Sequence, residues 1–331
     1  MKPIEISSEF ELEEPSARPS LSRAFRTEIW IKFFNDIIRK SFVLLFSLTL
    51  TNSVSLAILG LINRLLGRPL RSVFLCYPAK EKYAHKYAFS WAFEYMRYNP
   101  LIVGIYFQNF RVGLILASYV QENYFRNNKE YLALIQSKMN RIRNLVGAEL
   151  VHFSGTLPSE MNRLSLIEPG YFKERCDLVA EIVIDAERAV RLQQDIFEIC
   201  PVLLLGGGGS IGSVLKEKFL GEGREVHIID RDDVFPIKLI GQKAVLIDVS
   251  RKGVLESRID QLWSDITILN ESFPEPDQDI VKILNRKGIT VYHVAGVKAT
   301  AFPPFPYGYA GGIPCCAAIR EKKMKSLIKK L

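Results

Sequence analysis

From Cys200 to Leu220 the chain reads CPVLLLGGGGSIGSVLKEKFL: an apolar block, four glycines, then apolar residues at helical spacing. An unbroken apolar run bounded by glycine predicts a strand buried on both faces, here 200–206, and the following periodicity predicts a helix over 211–221. The runs EVHIID (225–230), KAVLIDVS (243–250), ITILN (266–270) and ITVYHVAGV (289–297) repeat the strand pattern, with connections long enough for crossovers. Residues 199–331 therefore read as a Rossmann-type, doubly wound parallel sheet. Upstream, KEYLALIQSKMNRIRNLVG places Leu132, Ile135, Met139, Ile142 and Leu145 on one helical face and stops at Gly147. AELVHFSGT then predicts a strand, and ERCDLVAEIVIDAERAVRLQQDIF a long helix leading into the glycine stretch. With Pro78, Pro100 and Gly104 as breakers among short elements, 73–198 reads as a smaller α/β domain.

The first 72 residues differ in texture. Residues 1–22 are acidic, then rich in Pro and Ser, the composition of a disordered tail. Residues 23–72 form a basic, hydrophobic helical extension, with Ile29, Ile31, Phe33, Phe34, Ile37 and Ile38 interleaved with charge. Within it, Phe42–Ile62 is 21 residues without a charge, long enough to cross a bilayer. Ser47, Thr49, Thr51, Asn52, Ser53 and Ser55 oppose a span, because Asn52 is costly in lipid. The alternatives are a helical hairpin buried against the protein or lying in the membrane interface. The segment starts too far into the chain to be a cleaved signal.

Composition narrows the class of partner. The 331 residues are 48% hydrophobic and 24% charged, as in ordinary globular proteins. The net charge of +8 gathers at Arg23–Arg71 and in the C-terminal IREKKMKSLIKKL. Such charge attracts nucleic acid or anionic lipid. With no nucleic-acid-binding signature, the reading is a membrane surface and no nucleic acid. An odd five cysteines without a secretory signal point to a reducing, cytoplasmic compartment. The four histidines lack metal-ligand spacing, so no metal site is expected.

Gly207, Gly209 and Gly212 satisfy G-x-G-x-x-G between a strand and a helix, the context that gives the pattern meaning. The glycines permit a tight turn, close approach of a pyrophosphate and close helix–strand packing, and the N–H groups of Ser210 and Ile211 open the helix toward a phosphate. Asp230, 23 residues beyond Gly207, is placed to bind an adenosine ribose. Its carboxylate argues for NAD, while Arg231 beside it could hold the 2′-phosphate of NADP; both stay open. Ligands meet the carboxyl ends of the strands, which marks Asn270, Glu271 and Ser272 after the fourth strand. Past the fifth lies Lys298, a proton-donor candidate, while His293, within that strand, is expected to be buried or supporting. Pro314 suits the first position of a terminal helix, which would put Cys315 and Cys316 in its first turn, with acidified thiols. Such a thiolate suggests thioester chemistry; the alternative is that both cysteines only pack.

Residues 73–331 resemble the long-chain acyl-[acyl-carrier-protein] reductases that form aldehydes. RNLVGAELVHFSGTLPSEM is similar to that family's helix, strand and substrate-side turn, which implies substrate contacts for Ser154, Gly155 and Thr156. Gly207–Gly212 is similar to its cofactor turn, and Cys315, with Cys316 one step away, to its acyl-accepting cysteine. The chain departs from the family in Phe-Ser-Gly for Gly-Leu-Gly, in Ala317 and Ala318 where a Glu follows the cysteine motif, and in its N-terminal extension. The resemblance implies an NAD(P)H-dependent oxidoreductase reducing a fatty acyl thioester, carried by acyl-carrier protein or CoA, through a Cys acyl-enzyme. The two-domain layout is also similar to glutamyl-tRNA reductases and shikimate dehydrogenases. That leaves a dehydrogenase of another class, a non-catalytic nucleotide-sensing module, and a homo-oligomer open.

Overall fold

The computed structural model describes residues 23–78, 81–196, 200–305 and 307–331, and the tail at 1–22 lies outside them. In chain order the elements begin with α1 (Arg23–Leu50), α2 (Ser53–Leu65), β1 (Leu70–Cys76), α3 (Glu81–Tyr87) and α4 (Phe93–Tyr98). There follow β2 (Leu101–Gln108), β3 (Arg111–Ala117), α5 (Glu122–Phe125), α6 (Lys129–Val146), β4 (Leu150–Phe153), α7 (Leu157–Arg163) and α8 (Pro169–Gln193). The second half holds β5 (Val202–Leu205), α9 (Ser210–Gly221), β6 (Val226–Ile229), β7 (Ala244–Asp248), β8 (Ile266–Asn270), α10 (Gln278–Arg286), β9 (Thr290–Val297), β10 (Thr300–Phe302) and β11 (Ser326–Lys330). Residues 39–331 form one compact unit.

The fold is α/β with two sheets. The second runs β11-β9-β8-β7-β5-β6, parallel from β6 through β9, with β11 antiparallel at the edge. The chain reverses direction across the sheet between β5 and β7, a switch point that opens a crevice beyond the strands' carboxyl ends. The four residues of β5 are all fully buried, as a central parallel strand requires. The first sheet is mixed, β10-β2-β3-β1-β4. Its edge strand β10 comes from the far C-terminal part of the chain and pairs antiparallel with β2, Ala301 opposite Tyr106.

Helix α8 joins the sheets. It starts at Pro169, where a missing N–H costs nothing, and buries Val179, Ile182, Val183 and Ala186. These belong to one core cluster with Phe74, Val103 and Ile115 of the first sheet and Val202, Leu204 and Val245 of the second. Its fully buried Glu187 pairs with Arg191 at 2.7 Å and Arg224 at 3.3 Å. Arg224 also donates to Cys200 O at 2.9 Å, which ties the helix to the entry of β5.

The N-terminal polar residues have structural uses. Asn52 caps α2 by accepting from Ser55 N at 2.9 Å, and Ser47 Oγ donates to Ile102 O at 2.8 Å. The apolar stretch is thereby broken into two helices bent by 86°, and among the described residues no single helix is long and apolar enough to cross a membrane.

The expected helix at Pro314 is absent. A three-residue 3-10 turn, Cys315–Ala317, is followed by irregular chain and then β11. Helical propensity in the lysine-rich tail loses to capture by neighbours. Asp185 of α8 accepts from both N and Oγ of Ser326, at 2.9 and 2.7 Å, and the backbone pairs with β9.

Removing one partner of a buried ion pair strands the other charges. Glu187→Ala leaves Arg191 and Arg224 uncompensated and is expected to lower stability by about 3–5 kcal/mol, read as the change in urea midpoint. Glu187→Gln, which keeps the shape, is expected to cost less.

Candidate active site

A cleft of about 1140 Å³ runs from the glycine turn into the space between the sheets. At the turn, β5 ends and Gly206 takes φ +84°; a Cβ there would meet Ser250 Cα at 2.8 Å, so only glycine fits. Gly212 is excluded from larger side chains by space, since a Cβ would stand 2.4 Å from Gly206 O. The wall of the cleft carries Gly206, Gly209, Ser210 and Ile211, whereas Gly207 and Gly212 face inward. The left-handed turn thus falls on Gly206, one residue before the motif. As at any helix start, the first-turn N–H groups of α9 lack acceptors within the helix. At the end of β6, Asp230 lines the cleft and accepts from Gly208 N at 3.1 and 3.2 Å. Arg231, Arg251, Lys252 and Arg258 line the same end, and Arg258 fixes the turn by donating to Asp230 O at 3.1 Å.

The middle of the cleft holds the chemistry. Ser154, Gly155 and Thr156, after β4, and Tyr77, after β1, face it together with Cys315 and Cys316. Tyr77 Oη accepts from Thr156 N at 3.1 Å. Both thiols sit in the buried strap 315–319, whose backbone has few regular partners and is held by side chains of the first sheet and α8. Tyr106 Oη donates to Ala317 O at 2.7 Å, and Gln108 bonds both Ile319 N and Ile319 O, at 2.9 and 2.7 Å. Arg175 donates to Cys316 O at 2.9 Å and Ala318 O at 3.1 Å. His152, with its pKa well below the ordinary value because burial and Arg175 disfavour its charge, is neutral and donates from Nδ1 to Ala317 O at 3.1 Å.

Burial sets the protonation states. It pushes Cys316 up to about 11, against the lowering influence of Gly155 N–H and Arg175, and Cys315 well above the usual thiol range. The expectation of an acidified Cys315 is overturned, because no helix dipole exists at a three-residue turn to offset desolvation. Glu271 is pushed up to about 8 by burial and then by Asp248, and its charge raises both thiols. Burial lowers His293 to about 4, so its imidazole is neutral at pH 7. Its Nδ1 lies 2.9 Å from Asn270 Nδ2 and 3.1 Å from Asn270 O, while Nε2 is buried and has no hydrogen-bond partner among the described residues. The same cleft has an apolar chamber lined by Phe93, Met96, Val103, Ile115, Phe153 and Val179.

Two expected site residues stand elsewhere. Lys298 is exposed and off the cleft, because its N–H donates to Lys325 O and draws it to the β9–β11 edge. Asn270 is buried behind the wall, its Nδ2 donating to Ser272 O at 2.7 Å beside His293. Arg175 and Tyr77 carried no sequence signal, one inside an amphipathic helix and the other in mixed aromatic chain. Glu271 could be found only as the residue following a parallel strand.

Comparison with known proteins gives distant likenesses. A hetero-hexameric glutamate dehydrogenase from Thermus thermophilus aligns at 12% identity and TM-score 0.37, over 75% of this chain and 67% of that one. The PH0520 protein of Pyrococcus horikoshii aligns at 11% and 0.27, over 67% and 78% of the two chains. The TT0316 protein of Thermus thermophilus aligns at 12% and 0.23, over 72% and 90%. No family model and no curated protein matches the sequence. The chain itself is α/β, with a mixed first sheet and a largely parallel C-terminal sheet that carries the glycine turn.

Thiol reactivity tests the protonation states. Cys316 is expected to react with iodoacetamide at pH 8 about a hundredfold more slowly than an unperturbed thiol, with the rate rising toward pH 11. Gln108→Leu, which leaves both Ile319 backbone groups unsatisfied, is expected to cost about 2–4 kcal/mol in urea unfolding and to speed labelling of Cys316.

Proposed function

We propose that this protein is an NAD(P)H-dependent oxidoreductase that receives a fatty acyl thioester on Cys316 and releases the acyl group as an aldehyde. One observation carries the reading: Cys316 lies on a single cleft that runs from the glycine turn to an apolar chamber. The glycine turn fits a dinucleotide, since among the described residues other than its chain neighbours a Cβ on Gly209 would meet Gly206 O at 3.2 Å and nothing else within 4 Å, which leaves the approach open. Gly206, Gly209, Ser210 and Ile211 would hold the pyrophosphate and Asp230 the ribose. Arg231 and Arg251 add positive charge at that end, which favours NADP over NAD.

The residues divide the work. Glu271, titrating near 8, takes the proton of Cys316, and Gly155 N–H and Arg175 stabilise the thiolate. The thiolate adds to the thioester carbonyl, and the carrier thiolate leaves with the proton from Glu271. The chamber holds the acyl chain and keeps water from the enzyme thioester. Bound NAD(P)H would supply a hydride to the acyl carbon. Breaking the C–S bond of the tetrahedral oxyanion on Cys316 would then release the aldehyde and a Cys316 thiolate, which Glu271 would protonate with a proton taken up from solvent.

A second reading draws on His293. His293 lines the cleft, and its buried Nε2, without a hydrogen-bond partner among the described residues, would have to become accessible to take a substrate hydroxyl proton, as in a dehydrogenase in which the cysteines only pack.

Incubation with acyl-CoA followed by mass spectrometry separates the two. Cys316→Ser is expected to abolish the thioester adduct and aldehyde formation while NAD(P)H affinity, read by fluorescence titration, is retained; Cys315→Ser is expected to do less. Full activity in Cys316→Ser would transfer the proposal to the His293 reading. Gly209→Val is expected to stay folded and to weaken NAD(P)H binding by roughly tenfold or more, because its side chain enters the pyrophosphate approach.

A further inference from the structure

Helix α2 buries one stripe and exposes another. Leu56, Gly60 and Asn63 face α6, so closely that a Cβ on Gly60 would lie 2.0 Å from Leu145 O. Asn63 is satisfied there, accepting from Leu70 N at 2.8 Å and donating to Leu70 O and Val146 O at 3.1 Å. The opposite stripe is apolar and open: Val54, Ile58, Leu61, Leu65 and Leu66, with Leu48 of α1, are each more than half exposed. A contiguous face of this kind on a folded protein marks an interaction site.

Charge identifies the partner. Between residues 37 and 80 the chain carries Arg39, Lys40, Arg64, Arg68, Arg71 and Lys80 and no acidic residue. Exposed Arg64 and Arg68 end the apolar stripe, and exposed Arg141 of α6 reaches its start by donating to Ser53 Oγ at 2.9 Å. Near the N-terminal end of this part of α1, Lys40 lies 5.7 Å over the ring of Phe89, which stacks with the exposed Trp91, a pairing suited to a headgroup layer. Two copies meeting face to face would set these arginines against like charge. Among the described residues no single helix is long and apolar enough to span. At 13 residues, α2 is about 20 Å long, short of a hydrocarbon core of about 30 Å, and its other face is committed to α6.

We infer that this face docks in plane on an anionic lipid bilayer, with α2 lying in the interface and the arginines on the headgroups. The inference does not depend on the chemistry assigned to the cleft. It does bear on substrate supply: α1 lies on β2 through Ser47 and Ile102, next to chamber residue Val103.

Co-sedimentation of the full chain with vesicles tests it. The protein is expected to bind vesicles of phosphatidylcholine with phosphatidylglycerol and to bind phosphatidylcholine alone weakly. Leu61→Ser with Leu65→Ser is expected to lower binding by roughly tenfold or more with an unchanged unfolding midpoint, since both side chains are exposed. Arg64→Glu with Arg68→Glu is expected to remove the preference for the anionic lipid. Absence of binding by the wild type, binding unaltered in both variants, or a dimer in sedimentation velocity that the Leu61→Ser, Leu65→Ser variant dissolves, would each overturn the proposal. The last result would assign the face to a second copy.

Discussion

A buried strap of irregular backbone governs the centre of this molecule. Ala317 and Ala318 have no solvent exposure, so the peptide groups around them must find partners inside the protein. Tyr106, Gln108, His152 and Arg175 supply those partners from two strands of one sheet and from the helix between the sheets. The position of both cysteines follows from that requirement rather than from any property of a thiol. So does the neutrality of His152: a charged ring could not accept from Arg175, which lies 3.3 Å from its Nε2.

The same interior that fixes the thiols also keeps them protonated. Desolvation opposes ionisation at Cys76, Cys315, Cys316 and Glu271 alike, while Glu271 raises both Cys315 and Cys316, and Cys316 raises Cys76. A nucleophile in such a place depends on an internal base whose own pKa has risen toward it. Glu271 has that character: Asp248 beside it, itself raised to about 6 by burial, makes charge there expensive. The cleft is therefore a set of coupled acids, suited to moving a proton between neighbours and ill suited to holding a resting thiolate.

The N-terminal pair of helices shows how polar residues can direct an apolar segment. Ser47, Asn52 and Asn63 each satisfy a backbone group of the protein. They turn a stretch long enough to cross a bilayer into a pair of helices bent by 86°, the second with one face packed and one open.

Local pattern alone determined a good deal. The apolar block with its glycines determined β5, the tight turn and α9, because a buried parallel strand and a helix start impose constraints within a few residues. The 3.6-residue spacing of Leu132, Ile135, Met139 and Ile142 determined α6. Only tertiary structure decided the rest. PCCAAIREKK has the composition of a helix, yet its backbone is drawn out by Gln108 and Arg175, residues at least 141 positions away. Lys298 follows a strand as a catalytic residue would, but pairing with the chain at Lys325 turns it from the cleft. Thiol acidity could not be read from sequence because it depends on the balance of burial against nearby charge, and both are set by residues that meet only when the two sheets close on α8.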